Sequence, residues 1–346
     1  TPAPRGVIEA AQKALASHAL GYTESLGIPP LRERIARHYR DTYGLTVDPA
    51  RVVVTAGSSG AFLLAFLAAF EHGDRVALAD PGYPAYRNIL MALGIEPVGL
   101  PADMEHKFQP TPALLERAGP LAGVIVASPA NPTGSMLSAE EMRALVTWCR
   151  ARRVRLVSDE IYHGIVYGEA ATSVLGSGDD MIVVNSFSKY YSMTGWRIGW
   201  AVYPAALESA MIKIQDTIVI CPPAISQMAA TGALSAGREW VADHVRALAQ
   251  TRARVREELM TLAHDGLAEI PSAQGALYFL LQPKTSRTPL DYVTQLIRAH
   301  RVAAIPGDAF GLMQGCSLRI AYGALDASTA TEGVGRLVAG VRALSR

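Results

Sequence analysis

The feature that most constrains this chain is an alternation of short, β-branched apolar runs with turns and helical patterns. Residues 51–55 (RVVVT) lead into 57–60 (GSSG) and then an apolar helical stretch. Residues 75–79 lead into a turn over 80–84, and 123–127 (GVIVA) into 128–134. Residues 154–158 run into Asp159 and Glu160, 181–185 run into 186–189, and 198–202 form a further candidate strand. Runs that are apolar at consecutive positions bury both faces of a sheet. Alternated with helices, they predict an α/β fold with a mostly parallel central sheet sandwiched by helices.

The pattern changes after about Pro222. A helical stretch covers roughly 223–236 and a long charged one 238–264, followed by a strand-like 276–281 and a helix near 289–300. A short run at 302–305, a strand at 317–321 and a last helix near 327–344 complete the chain. This predicts a smaller α+β C-terminal domain joined through a long helix, with residues 1–245 forming the large domain and 246–346 the small one.

Composition removes several classes of function. Half of the 346 residues are hydrophobic, ample for a large core. The 32 basic and 31 acidic side chains leave a net charge of +1, which makes no electrostatic case for nucleic acid or an anionic membrane. The longest apolar run, 61–70, is about half the roughly 20 residues that span a bilayer. No signal peptide opens the sequence. Cys149, Cys221 and Cys316 are odd in number and far apart, so neither a disulfide framework nor metal-ligand spacing is expected, and a reducing cytoplasm is the natural compartment. The eight histidines show no paired spacing, and no metal is expected.

In open parallel sheets, ligands bind beyond the carboxyl ends of the strands. Five polar groups stand at such ends here. Gly57-Ser58-Ser59-Gly60 opens a helix, where free N–H groups and hydroxyls suit an anion, although taken alone the segment reads first as a serine cap on an ordinary turn. Asn131-Pro132-Thr133-Gly134 has turn chemistry of its own. Asp159 ends an apolar strand; it is either a structural carboxylate or the partner of a cationic ligand nitrogen. Ser186-Phe187-Ser188-Lys189 sets a lysine directly after a buried strand, where desolvation and a neighbouring cation favour an amine nucleophile. Arg197, eight residues on, could join the two serines at a phosphate. Arg319 alternates with Leu318 and Ile320, so it faces away from their side of the strand and could clamp a carboxylate.

Taken together, these segments resemble the class I/II aminotransferases of fold type I, which use pyridoxal 5′-phosphate (PLP). SFSKYYSMTGWRIGW resembles the family's lysine signature, SPANPTG its NPTG turn and SDEIYHGIVYG its D-x-x-Y segment. DPGYPAY, GYTESLGIPPLRERIA and LRIAYG follow in family order, and the resemblance covers nearly the whole chain.

The resemblance implies a role for each group. Lys189 would hold PLP as a Schiff base and move a proton between the substrate Cα and the cofactor. Asp159 would pair with the pyridinium nitrogen, and Asn131 and Tyr162 would hydrogen-bond the phenolate oxygen. Tyr83 would stack on the ring, while Ser58, Ser59, Ser186, Ser188 and Arg197 would hold the phosphate. Tyr22, expected on a helix, would reach the phosphate of a neighbouring subunit, completing the site in a homodimer. Arg319, helped by Asn131, would bind the substrate α-carboxylate.

The implied activity moves an amino group between an α-amino acid and a 2-oxo acid. Two rivals share the cofactor set: a β-eliminating C–S lyase or related enzyme, and a non-catalytic PLP-binding sensor domain. The sequence departs from the family pattern at its front. Members usually begin with a further segment lining the substrate entrance, whereas here Tyr22 stands close behind Thr1-Pro2.

Overall fold

The computed structural model describes residues 2–17 and 20–345. The chain opens with α1 (Arg5–Ala16) and α2 (Pro29–Tyr43). There follow β1 (Val52–Thr55), α3 (Gly57–Ala69), β2 (Arg75–Asp80), α4 (Pro84–Ala92), β3 (Glu96–Pro101) and α5 (Pro112–Arg117). Next are β4 (Gly123–Ala127), α6 (Ala139–Arg152), β5 (Arg155–Asp159), β6 (Ile182–Ser186), α7 (Phe187–Tyr190) and β7 (Gly199–Val202). Then come α8 (Glu208–Ile218), α9 (Ala224–Ala236) and the long α10 (Arg238–His264). The remainder comprises β8 (Ala268–Glu269), β9 (Tyr278–Pro283), α11 (Pro289–His300), β10 (Ile305–Pro306), β11 (Leu318–Ala321) and α12 (Ala327–Leu344).

Seven strands form one sheet in the order β1-β7-β6-β5-β4-β2-β3. Only β7 runs against its neighbours; the other adjacent pairs are parallel. Both faces are covered, as the apolar runs required. Val52 and Val54 enter one core with Val124, Val126 and Val183. Val53 enters the opposite core with Ile125, Val157 and Val184. Successive side chains of one strand thus serve two cores. The second sheet, β10-β11-β9-β8, is antiparallel and packs with α11 and α12 on a third core. Helix α10 spans the two regions, with Val241 in the first core and Val255 and Leu259 in the third.

Three elements differ from the sequence reading. β3 (EPVGLP) was not foreseen because two prolines and a glycine mask it; it survives as the outermost strand, where missing N–H groups are tolerated. The run at 302–305 contributes only the two-residue β10, pinned by pairing to β11. Tyr22 lies on no helix, but in the connection between α1 and α2.

The sheet brings its polar ends to one edge. Thr55, Ala127, Asp159 and Ser186 are the last residues of β1, β4, β5 and β6, and antiparallel β7 starts at the same edge with Gly199. Gly199 lies against the start of α3: a Cβ there would sit 2.8 Å from the Gly57 carbonyl carbon and 3.0 Å from the Ser58 nitrogen. These are backbone atoms and cannot swing aside. Gly199→Ala should therefore destabilise the fold by about 1–3 kcal/mol, a typical cost of overpacking, and displace the first turn of α3. Thermal unfolding of the purified variant with and without PLP measures both effects; a melting temperature equal to wild type would refute this account of the contact.

Candidate active site

The start of α3 is unusually open. Its N-cap, Ala56, supplies no side-chain hydrogen bond, so the serine cap considered from sequence is not used. Ser58 and Ser59 lie within the first turn and line a cavity of about 320 Å³. The first N–H groups of a helix have no intrahelical acceptor, and they carry the positive end of the dipole. Arg197 adds a guanidinium beside Gly57, where φ is +72° and a Cβ would come 2.5 Å from an Arg197 terminal nitrogen. The Arg197 Nη1 donates to the Thr194 carbonyl at 2.9 Å. Ser188 lines the cavity, whereas Ser186 is buried behind it, donating to the Ile198 carbonyl at 2.9 Å and accepting from the Ser188 N–H.

Asp159 stands at the centre of the sheet edge and is fully enclosed. Its Oδ1 accepts the Ile161 N–H at 3.0 Å, and its Oδ2 accepts a short hydrogen bond from the Tyr86 hydroxyl. Burial pushes this carboxyl up to about 6, against the opposing pull of Tyr86, the Ile161 N–H and the charge of Lys189. Lys189, half-buried on α7, lines the same cavity. Tyr83 lines it too, its ring edge-on to Tyr86 with centroids 5.4 Å apart.

On the side of the second sheet, Arg319 of β11 donates to the Asn131 side-chain oxygen at 2.9 Å. Its guanidinium lies 4.4 Å from the Tyr278 ring centroid and 4.9 Å from that of Phe310, which holds the plane by cation–π contact. The Arg319 Nε is buried without a partner. Tyr162 and Tyr278 share a hydrogen bond of 2.7 Å.

The cavity therefore gathers Ser58, Ser59, Tyr83, Asn131, Asp159, Tyr162, Ser188, Lys189, Arg197 and Arg319. Tyr22 is outside it, with 86% of its surface exposed. Tyr86 and Tyr278 also belong to the site. Tyr86, three residues after Tyr83, stands near the site in sequence terms but reads equally as core packing, whereas Tyr278 reaches the cavity only because β9 packs beside β11. Trp200, close to the lysine-bearing turn in sequence, is core: it is fully buried and donates to the Tyr39 hydroxyl at 3.1 Å.

Residues 1–337 match the family described as aminotransferase class I and II. The chain belongs to this family. It is 45% identical over 326 residues to the valine–pyruvate aminotransferase of Mycobacterium tuberculosis, covering 92% of this chain and 83% of that one. It is 32% identical to an aspartate aminotransferase of Geobacillus stearothermophilus, over 97% of this chain and 88% of that protein. Among solved structures, an aminotransferase from M. tuberculosis superposes with a TM-score of 0.94 at 41% identity, over 99% of this chain and 89% of that chain. A Thermus thermophilus aspartate aminotransferase mutant reaches 0.92 at 29% identity, over 98% and 93%. The protein is a PLP-dependent aminotransferase of fold type I, and amino acids and 2-oxo acids are its substrates.

The aminotransferase's residues fit that cofactor. A carboxyl raised by burial calls for a cation, which a protonated pyridine nitrogen provides. An uncapped helix start with two serines and a guanidinium suits a phosphate dianion. A half-buried lysine suits an aldehyde.

Glu160, beside Asp159 in sequence, points the other way into a closed polar nest. Its Oε1 accepts from Ser173 and from the Val174 N–H, both at 3.0 Å. Its Oε2 lies 3.5 Å from His163 Nδ1 and makes no hydrogen bond. Burial pushes Glu160 up to about 8 and His163 down to about 4, so near neutrality this is a contact of two uncharged groups. The folded protein holds the Glu160 proton up to about pH 8, whereas the unfolded chain releases it near 4.5. Across that window the folded state binds more protons, so this group's contribution to stability falls as pH rises. Glu160→Gln should remove the dependence, and its stability relative to wild type should climb between pH 5 and 8 by at most about 1.4 kcal/mol per unit. Chemical denaturation across that range measures it, and a constant difference would contradict the assignment.

Proposed function

We propose that this aminotransferase acts on an amino acid with an uncharged, apolar side chain, using Lys189 as the amine that holds the cofactor. The observation that carries the reading is the trio of cations around one cavity, Lys189, Arg197 and Arg319. Each suits a different partner: the aldehyde, the phosphate and the substrate α-carboxylate. Among the described residues no further cation lines this cavity, so a second substrate carboxylate would enter it unpaired, at a cost of several kcal/mol. The similarity to a valine–pyruvate aminotransferase supports an apolar substrate.

In this reading Arg319 fixes the α-carboxylate through its fork of donors, and Asn131 holds Arg319 in place. Bound here, the cofactor supplies an electron sink for the pair left when the substrate Cα loses its proton. Asp159 keeps the ring nitrogen protonated, and the Tyr86 hydroxyl and Ile161 N–H keep that carboxylate aimed and ionised. Lys189 would hold the aldehyde through its amine and, with substrate bound, would take the proton from Cα and return it on the cofactor side. Asn131 and Tyr162 serve the phenolate oxygen, Tyr83 covers the ring, and Ser58, Ser59, Ser188 and Arg197 hold the phosphate. Ser186 supports the phosphate site from behind by fixing Ser188.

We place Tyr22 at the phosphate of a partner subunit in a homodimer. Its exposure leaves it free to reach outward, and the segment after it is anchored. The buried Gln227 donates to Thr23 Oγ1 at 2.9 Å and accepts the Ile28 N–H at 2.8 Å. We divide the large and small domains near residue 245, within α10. The three cysteines are free thiols, which suits a reducing cytoplasm.

Two measurements test this. Lys189→Ala should lower transamination roughly 10⁴-fold or more, on the scale of deleting other covalent catalysts. Turnover at the wild-type rate would sink the assignment. Single amino acids added to the PLP-loaded enzyme without oxo acid should shift its yellow absorbance to the shorter-wavelength band of pyridoxamine phosphate. Valine and alanine should act at least about tenfold more efficiently than aspartate or glutamate, a gap of about 1.4 kcal/mol. The reverse order would overturn the substrate class, and release of pyruvate and ammonia from an added β-substituted amino acid, without an oxo-acid acceptor, would mark a β-eliminating lyase instead.

A further inference from the structure

A second cavity, of about 580 Å³, lies behind the lysine-bearing turn and shares no lining residue with the active site. One wall is a single face of α2: Arg34, Arg37, His38, Asp41 and Thr42 recur at helical spacing. The opposite wall is the junction of α9 and α10, with Leu234, Ser235, Arg238 and Val241. Tyr190 and Tyr191, directly after Lys189, close it.

The charges in this cavity do not cancel. Asp41, its one acidic lining group, is engaged by Arg238. Arg34 and Arg37 make no hydrogen bond or ion pair among the described residues. Three guanidiniums against one carboxylate leave two positive charges along its lining, with Arg37 and Arg238 exposed to solvent and Arg34 half-buried. His38 adds none near neutrality, because burial, and secondarily Arg238, holds it down to about 4. The hydroxyls of Thr42 and Ser235 offer further donors, while Tyr191, Leu234 and Val241 supply an apolar floor.

We propose that this cavity binds a small organic phosphate, its dianionic head on Arg34, Arg37 and Arg238 and its apolar body against Tyr191, Leu234 and Val241. Two excess positive charges match a phosphate dianion better than a single carboxylate, and guanidinium forks bind phosphate oxygens in pairs. The floor distinguishes an organic ester from the inorganic ion. Its occupant would touch the residues next to Lys189.

Isothermal titration of the PLP-loaded enzyme, reduced with borohydride so that the cofactor's own phosphate site stays filled, provides the test. Phenyl phosphate should bind at one site per chain, at least about fivefold tighter than inorganic phosphate, a gap near 1 kcal/mol. The Arg34→Gln/Arg37→Gln pair should weaken it by at least about tenfold, a loss of about 1.4 kcal/mol. Ser235→Asp, which adds an opposing charge without removing an arginine, should weaken it comparably. Melting temperatures of both variants establish that they are folded. No saturable binding of phenyl phosphate, or binding unchanged in both variants, would overturn the site. Equal affinity for the two phosphates would overturn the organic ester.

Discussion

A carboxylate enclosed at the end of a buried strand needs a cation, and the arrangement of this active site follows from that need. Asp159 is buried at the cavity wall and, among the described residues, has no ion-paired arginine; it has the Tyr86 hydroxyl, one N–H and the neighbouring charge of Lys189. Left so, its burial disfavours the ionised form. In the role proposed for Asp159, a cofactor presenting a protonated ring nitrogen would reverse the balance, and the same burial that perturbs the free carboxyl would make the site selective for that ring.

The sheet makes such enclosure possible. Its strands are apolar at consecutive positions because each feeds a core on either face, and that leaves polar groups only at the strand ends. The antiparallel β7 then threads between β1 and β6, so that Gly199 reaches the same edge and lies on the start of α3. Close backbone packing there holds the first turn of α3 and Arg197 around one point. An anion site made of backbone N–H groups depends on such packing, since it has few side chains to adjust.

Much of this was legible from the chain itself. The central strands, the long α10 and the last helix stand near where periodicity and β-branched runs placed them, because both signals report burial directly. Lys189, Asp159 and Asn131 were visible as polar residues where apolar runs stop, and Arg319 as a polar residue alternating with apolar ones inside a strand. β3 was not, because its prolines conceal a strand that only an outermost position permits. Tyr86 was visible only as ambiguous and Tyr278 not at all, because aromatic residues pack cores and line sites with equal ease; Trp200 is core.

The sequence by itself determined the α/β class, the order of the motifs and the chemical type of each site residue, since these depend on local pattern and on what a side chain can donate or accept. Tertiary structure alone decided which of them meet. Arg319 finds Asn131 across 188 positions, and Tyr278 finds Tyr162 across 116. Ser186, chemically as fit for a phosphate as Ser188, is turned inward by its bond to the Ile198 carbonyl. The arginines of α2 become a charged cavity only where α10 begins opposite them. Such pairings arise from the packing of distant elements, and no local spacing encodes them.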